Sequence, residues 1–322
     1  MKVLAIRLGR FGDIVLLLPA LALLKARMPG CHITLLTDTR WAPLAGMCPA
    51  IDEIIAVDRL RMRDGSWWQA LAGIARLISN LRRRGFDAVI DCHGFRETNL
   101  LARCSGAPER WGLKRFDQSF LGFCFNRPPV IEDKSLHASE SFLRLIRSFA
   151  PLDNAVSPEA ALVIPGEALR WAAENIPPSP FAALFVDAPV RERIWPLDRF
   201  AALAAHVVKN HGSVVVIGRN ADLLETMAGV RVLSNLSIPS LAAVISRAGI
   251  LVSNDTGPMH LGPILGVPTI AIFSVGIPTH FRPTGPFDRY LQGNPIEAVG
   301  VNEVVAAVNE VWESIDRPDL RR

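Results

Sequence analysis

The chain has 322 residues, of which half are hydrophobic and a fifth charged. That balance excludes a disordered chain, and the length predicts two domains at roughly 100–200 residues each. The 35 Lys and Arg against 31 Asp and Glu leave a net charge of only +4, and no nucleic-acid-binding motif accompanies it, which argues against nucleic acid as a partner. The cysteines (Cys31, Cys48, Cys92, Cys104 and Cys124) are odd in number and form no C-x-x-C pair. They predict reduced thiols in a cytosolic protein, with neither a disulfide framework nor a zinc site.

In chain order, Lys2–Arg7 predicts a short strand. Ile14–Leu24 is an unbroken apolar run, but Asp13 precedes it and Lys25-Ala26-Arg27 follows, with no small-residue cleavage site. It is also too short to span a bilayer, which takes about 20 apolar residues. It predicts a buried helix that Pro29-Gly30 stops. Strands are expected at 32–36 and 53–57, a helix at 67–84 closed by Gly85, and a buried strand at 87–91. Breaks at Ala150-Pro151, Ser157-Pro158 and the Pro177-Pro178-Ser179-Pro180 segment set off the second half. There a helix is expected at 166–175, strands at 182–186, 213–217, 231–233, 250–253 and 269–273, and helices at 197–210, 221–228, 239–247, 259–265 and 302–315. Apolar strands alternating with helices predict an α/β chain of parallel sheets covered on both faces. Right-handed crossovers make each half a doubly wound, Rossmann-like domain, with residues 1–155 in one and 156–322 in the other. Such sheets bind ligands beyond the carboxyl ends of their strands, which directs attention to the loops there.

The first such loop is Leu8-Gly9-Arg10-Phe11-Gly12-Asp13. Gly9 and Gly12 permit a sharp turn or a close ligand approach. The spacing matches neither a dinucleotide fingerprint nor a Walker A loop, which argues against a nicotinamide dehydrogenase. Asp13 reads as a helix N-cap, worth about 1 kcal/mol, or as a carboxylate base facing a ligand. From position alone the cap is the better reading. Arg10 is a phosphate ligand or an ordinary exposed arginine, and alone exposure is the better reading.

The second loop, Ser253-Asn254-Asp255-Thr256-Gly257-Pro258-Met259-His260, follows an apolar strand and enters the helix expected at 259–265. Proline is tolerated in a first helical turn, and the free N–H groups and macrodipole there make an anion site. Thr256 adds a hydroxyl, and His260 can reach back toward the loop. A diphosphate fits this pattern. Asp255 and Thr256 alone read equally well as a capping turn, and His260 alone as a structural histidine; together they favour a functional site.

These two loops resemble those of glycosyltransferase family 9, the ADP-heptose:lipopolysaccharide heptosyltransferases. The resemblance rests on VLAIRLGRFGDIVLLLP (residues 3–19), FDAVIDCHG, HASESFLRLI, RIWPLDRFAAL and VSNDTGPMHLGPILGVPTIAIF, in the family's order and over nearly the whole chain. It implies a GT-B fold, with two Rossmann-like domains facing a central cleft, the acceptor on the first and the nucleotide sugar on the second. It also implies a last helix that packs back on the first domain. The family inverts configuration at the transferred sugar. Its base is the aspartate of an R-x-G-D type loop, here Asp13, with Gly9, Arg10 and Gly12 on the acceptor side. Its donor loop corresponds to Asp255, Thr256, Gly257 and His260. A basic residue ahead of a Trp-Pro pair contacts the donor phosphates, here Arg193, and an acidic residue after the second strand of that domain holds the ribose, for which Asp222 is the nearest position.

Three positions depart from the family pattern. Val186-Asp187-Ala188-Pro189 stands where a small-residue loop is usual, Arg193 where lysine is frequent, and Ser274-Val275-Gly276-Ile277-Pro278 where a G-P-T-[DE]-P stretch is usual. Asp187 would bring negative charge toward the diphosphate. The resemblance implies transfer of a sugar, heptose first, from an ADP-linked donor to a lipopolysaccharide-type glycan. No D-x-D pair is placed to bridge a metal, so neither metal nor cofactor is expected. The alternatives are a nucleotide-sugar epimerase and a non-catalytic nucleotide-sugar-binding protein. The arginine patches at 59–63, 82–84 and 110–115 read as solvated surface or as contacts to an anionic, lipid-linked acceptor. The latter implies a cytoplasmic enzyme peripheral on the inner membrane's cytoplasmic face. Of Trp67 and Trp68, one is expected in the core.

Overall fold

The structure is a computed structural model that describes residues 1–315 apart from 60, 62–66, 152–160, 179 and 220, and apart from the Asp222 side chain. The chain divides into two compact units, Met1–Val163 and Ile164–Arg322. The boundary expected at residue 155 falls on 152–160, outside the described residues.

The first unit is built on six strands, β1 (Lys2–Ile6), β2 (His32–Asp38), β3 (Glu53–Val57), β4 (Ala88–Asp91), β5 (Glu109–Lys114) and β6 (Val130–Ile131), in the spatial order β3-β2-β1-β4-β5-β6. Every neighbouring pair is parallel. Ile6 lies opposite both Leu36 and Asp91, so β1 and β4 end level with each other. The apolar run after β1 forms the helix Phe11–Arg27, whose residues Ile14–Leu18 and Ala20–Leu24 are buried and which packs against the helix Ala138–Phe149. Leu4 and Ile6 of β1 and Val89 of β4 share one core cluster with Leu77 and Leu81 of the helix Trp67–Arg84 and Leu101 and Ala102 of the helix Arg96–Cys104. Val3 and Ala5, fully buried, alternate with them on the opposite face of the strand.

The second unit repeats the plan. Its strands are β7 (Phe181–Phe185), β8 (Ser213–Ile217), β9 (Val230–Leu233), β10 (Ile250–Asn254), β11 (Thr269–Phe273) and β12 (Arg289–Gln292), in the order β12-β11-β10-β7-β8-β9 and again all parallel. Ala182, Leu184, Val214, Val216, Ile270 and Ile272 supply the sheet's side of the core, and Phe200, Leu203 and Val207 of the helix Leu197–Asn210 pack on it. Both sheets reverse their strand order once, between β1 and β4 and between β7 and β10. A doubly wound sheet opens its ligand crevice at that reversal.

The final helix, Val301–Ile315, buries Val304, Val308, Val311 and Trp312 in the second unit's core. Several expectations need correction. The helix expected at 259–265 is a 3-10 turn, Gly257–His260, running into a one-turn helix, Leu261–Ile264. Pro258 and Pro263 lack the N–H that a continuous α-helix needs, and Gly262 weakens the segment further. The helix expected at 221–228 shrinks to Asp222–Glu225. Trp67 and Trp68 are both exposed, at 60% and 65%, and stack on each other with ring centroids 3.5 Å apart. Strands β5, β6 and β12 escaped the sequence reading. ERWGLK and RYLQ carry charge on sheet positions that are only half-buried, so they lack the apolar run by which the central strands announce themselves.

Candidate functional site

At the reversal of the first sheet, a charged residue directly follows β1. Arg7 follows four fully buried apolar residues and is itself 2% exposed. Its backbone N–H donates to the Leu36 carbonyl, holding it in line with the strand. Its guanidinium fills three roles: Nη2 pairs with Asp13 Oδ1 at 2.9 Å, Nη1 donates to the Cys92 carbonyl at 2.6 Å, and the plane lies over the Phe142 ring. One side chain thus ties the end of β1 to the end of β4 and to the helix carrying Asp13. The sequence reading passed over Arg7. The signal was there, as a cation closing an apolar strand just before a polar loop.

Asp13 is not the N-cap. The helix begins at Phe11 with Arg10 in the cap position, and no side chain caps it. Asp13 stands in the first turn, where a carboxylate meets the positive end of the macrodipole. It is 23% exposed, with Oδ1 on Arg7. Arg10 is exposed. Neither Gly9 nor Gly12 takes a left-handed backbone. What Gly9 permits is a close approach, since a Cβ there would lie 2.8 Å from Cε1 of His93.

His93, in the loop after β4, is the second residue the sequence reading missed. The fully buried Asp91 shapes that loop: Oδ1 accepts from the His93 and Gly94 backbone N–H groups, and Oδ2 from Asn99 Nδ2. Gly94 takes φ +73°, and its Cα passes so near the Leu113 carbonyl that a side chain would collide. The His93 ring, 4% exposed, packs beside Phe95, and neither of its nitrogens has a hydrogen-bond partner. Burial first, and then the charges of Arg7, Arg59 and Arg115, push it down to about 2, so it is neutral at every physiological pH. Burial also pushes the neighbouring Cys92 thiol up to about 12, far from the reactive range.

At the reversal of the second sheet, Asn254 is the organiser. Its Oδ1 accepts from the Trp195 backbone N–H at 3.1 Å, and its Nδ2 donates to the Val186 carbonyl at 2.8 Å. It therefore joins the end of β10 to the end of β7 and to the segment carrying Arg193. Trp195 is fully buried, edge-on to Phe200, with its indole N–H on the Val299 carbonyl. Two residues earlier, Arg193 reaches the loop after β10: its Nη1 lies 3.1 Å from Asp255 Oδ2 and 3.4 Å from the Asp255 carbonyl oxygen. Burial raises the Asp255 carboxyl above its ordinary range, and Arg193 pulls it partly back. Gly276 makes room for this carboxylate, because a Cβ there would fall 2.1 Å from Oδ2. Thr256 and Gly257 are half-buried, and His260 is buried. Thus Arg193, Asp255, Thr256, Gly257 and His260 gather at one strand end. The Asp222 side chain lies outside the described residues.

The departing loops are also built in. Ser274 donates its hydroxyl to the Glu192 carbonyl, bracing the Arg193 segment. Asp187 Oδ2 accepts from the Arg219 backbone N–H at 3.1 Å. Of the arginine patches, Arg110 is used internally, on the carbonyls of Cys124 and Ala107, and Arg115 faces Glu132 and Asp117 at 3.8 and 3.6 Å. Leu60, Met62 and Arg63 lie outside the described residues. No group of three or more potential metal ligands occurs among the described residues, and no described helix is long and apolar enough to cross a membrane.

The family model of glycosyltransferase family 9 (heptosyltransferase) matches residues 74–298. The chain belongs to that family. It is 28% identical over 301 residues to lipopolysaccharide heptosyltransferase 1 of Pseudomonas aeruginosa, covering 90% of this chain and 82% of the relative. The structure of a family 9 glycosyltransferase from Veillonella parvula matches at a TM-score of 0.81 and 22% identity, over 97% of each chain. The Escherichia coli heptosyltransferase WaaC with ADP matches at 0.81 and 20%, over 97% of this chain and all of that one. At such identities the structural matches carry the fold, which is the two-domain α/β fold of the GT-B heptosyltransferases. The protein is a family 9 glycosyltransferase.

Proposed function

We propose that this glycosyltransferase moves a heptose from an ADP-linked donor to a lipopolysaccharide-type glycan with inversion at the anomeric carbon, and that Asp13 is its base. One observation carries the reading: Asp13 is a partly exposed carboxylate, fixed by a buried arginine, at the strand reversal where ligands of this architecture bind. An acceptor hydroxyl is a weak nucleophile at neutral pH. As its oxygen bonds to the anomeric carbon, its proton passes to the Asp13 carboxylate. The bond from that carbon to the diphosphate oxygen breaks on the opposite face, and the nucleoside diphosphate departs with the electron pair. Arg193, the backbone around Thr256 and Gly257, and His260 hold the diphosphate and oppose the charge that grows on it.

The acceptor is lipid-linked in this reading, and the protein meets it at the cytoplasmic face of the inner membrane. The helix Trp67–Arg84 supports this, since it bears four arginines and no acid and exposes Trp67, Trp68 and Leu71. Such a surface suits an anionic interface.

Incubation with ADP-heptose and a heptose-free lipopolysaccharide core tests the proposal, with the product's anomeric configuration read by NMR. Transfer with inverted configuration is expected. Retained configuration would defeat the single-displacement mechanism, and conversion of the donor alone into a different sugar nucleotide would make the protein an epimerase.

A further inference from the structure

Asp187 stands where the family pattern has small residues, and a carboxylate beside a diphosphate is at first sight unfavourable. The structure shows how it is held. Val186 extends the pairing of β7 by donating its N–H to the Ile217 carbonyl, and Asp187 is the next residue. Across from it, Gly218 follows the last residue of β8. A Cβ on Gly218 would lie 2.4 Å from Val186 Cγ2 and 3.3 Å from Asp187 Oδ1, so glycine is what lets the two strand ends close together. Asp187 Oδ2 is then fixed by the Arg219 backbone N–H, with the Arg219 guanidinium 3.6 Å away. Oδ1 is not engaged by these donors, and the side chain keeps 23% of its surface in solvent.

Position decides what such a carboxylate can read. The Val186 carbonyl is bound by Asn254 on the β10 side, next to Asp255 and its partner Arg193. Asp187 turns instead to the β8 side. The end of β7 thus separates a cationic, phosphate-seeking group from an anionic acceptor of hydrogen bonds. A nucleoside diphosphate has that same polarity, with anionic phosphates at one end and, one ester bond away, a ribose whose two vicinal hydroxyls donate. In doubly wound sheets a carboxylate near the second strand is a general device for gripping a ribose diol. We infer that Asp187 is a specificity-determining residue for the donor, its Oδ1 accepting from the ribose cis-diol of the nucleoside diphosphate. This rests on the nucleotide-donor reading above and assigns to Asp187 the part the resemblance gave to Asp222. The departure from the small-residue pattern becomes a substitute ribose clamp.

Calorimetry with three probes, ADP, 2′,3′-dideoxy-ADP and inorganic pyrophosphate, separates the possibilities when run in a chelator on the wild type and on Asp187→Ala. A hydrogen bond to a charged acceptor predicts that the wild type prefers ADP over the dideoxy compound by about 10- to 100-fold. Asp187→Ala should lower ADP affinity to the dideoxy level and leave pyrophosphate unchanged, the latter also showing that the variant is folded. A wild type indifferent to the two hydroxyls overturns the assignment without touching the donor reading. So does an Asp187→Ala protein that keeps the ADP preference, or one that binds both ADP and pyrophosphate more tightly, which would mean that the carboxylate merely repels phosphate. A wild type that binds none of the three removes the donor reading, and the role of Asp187 with it.

Discussion

The two sheets share one strand order, and each carries an arginine–aspartate pair at its reversal, but the pairs are inverted in exposure. In the first unit the arginine is buried and the acid open, with Arg7 at 2% and Asp13 at 23%. In the second the acid is buried and the arginine open, with Asp255 at 6% and Arg193 at 30%. The buried partner is fixed by the fold, and the open one keeps part of its surface in solvent. One backbone plan thus offers a carboxylate at one site and a guanidinium at the other. A transferase that must accept a proton from one substrate and bind a leaving phosphate of another needs those two groups. The difference arises from single positions: a cation at the end of an apolar β1, and an acid directly after β10 with Gly276 making room for it.

The comparison breaks most readily at Asp13. Asp13→Asn keeps the shape but loses the proton acceptor, so turnover should fall by roughly 10²–10⁴ while ADP affinity stays near wild type. Steady-state kinetics beside calorimetry would show it, and wild-type turnover would remove Asp13 as the base. Arg7→Met attacks the same pair from its buried side. It unpairs Asp13 and strands the Cys92 carbonyl, and should cost about 2–4 kcal/mol in urea unfolding, below a fully buried pair because Asp13 is partly solvated. Arg7 then differs from Asp13 in kind, since its loss lowers stability and turnover together, whereas Asp13→Asn lowers turnover with little loss of stability. Arg193→Ala removes the open member of the second pair and should weaken ADP binding by about 1.5–3 kcal/mol. Unchanged binding would show that Arg193 only neutralises Asp255.

Much of this was legible in the sequence, for reasons that also explain what was not. Central strands such as Ile250–Asn254 are buried on both faces and read as apolar runs, and the helices Trp67–Arg84 and Leu197–Asn210 appear at the bounds their periodicity gives. The two candidate loops stood out because glycine, aspartate and proline cluster where strands end. Arg7 and His93 did not, because what distinguishes them is burial without full partnering, which no local pattern encodes. His93 acquires its character first from burial and then from the charges of Arg7, Arg59 and Arg115, which the fold brings to it from distant parts of the sequence. Asn254 reads as one polar residue among several until its two bonds to other segments are seen. The cap reading of Asp13 failed because the helix begins two residues earlier, at Phe11, which puts Asp13 inside the first turn.

His93 offers the smallest effect and the sharpest sign. Its ring is held near 2, against an ordinary 6.5, chiefly by burial. Between those values the unfolded chain binds a proton that the native chain does not, so this residue makes stability rise with pH across the window and contributes no slope above it. Native His93 also carries two buried nitrogens without partners. His93→Leu removes both liabilities. Near pH 8 the variant should match or slightly exceed the wild type. Below about 6.5 its advantage should grow by roughly 1 kcal/mol per pH unit. Urea unfolding at pH 8, 6 and 5 measures that slope, and a constant difference would mean that His93 titrates normally and is reached by solvent. The pH dependence of turnover should meanwhile carry no inflection from His93, because the ring stays neutral throughout the range in which a carboxylate base operates. An inflection that His93→Leu abolishes would give the first unit a second proton-transfer group and end the contrast between a site with one working acid and a site with one working cation.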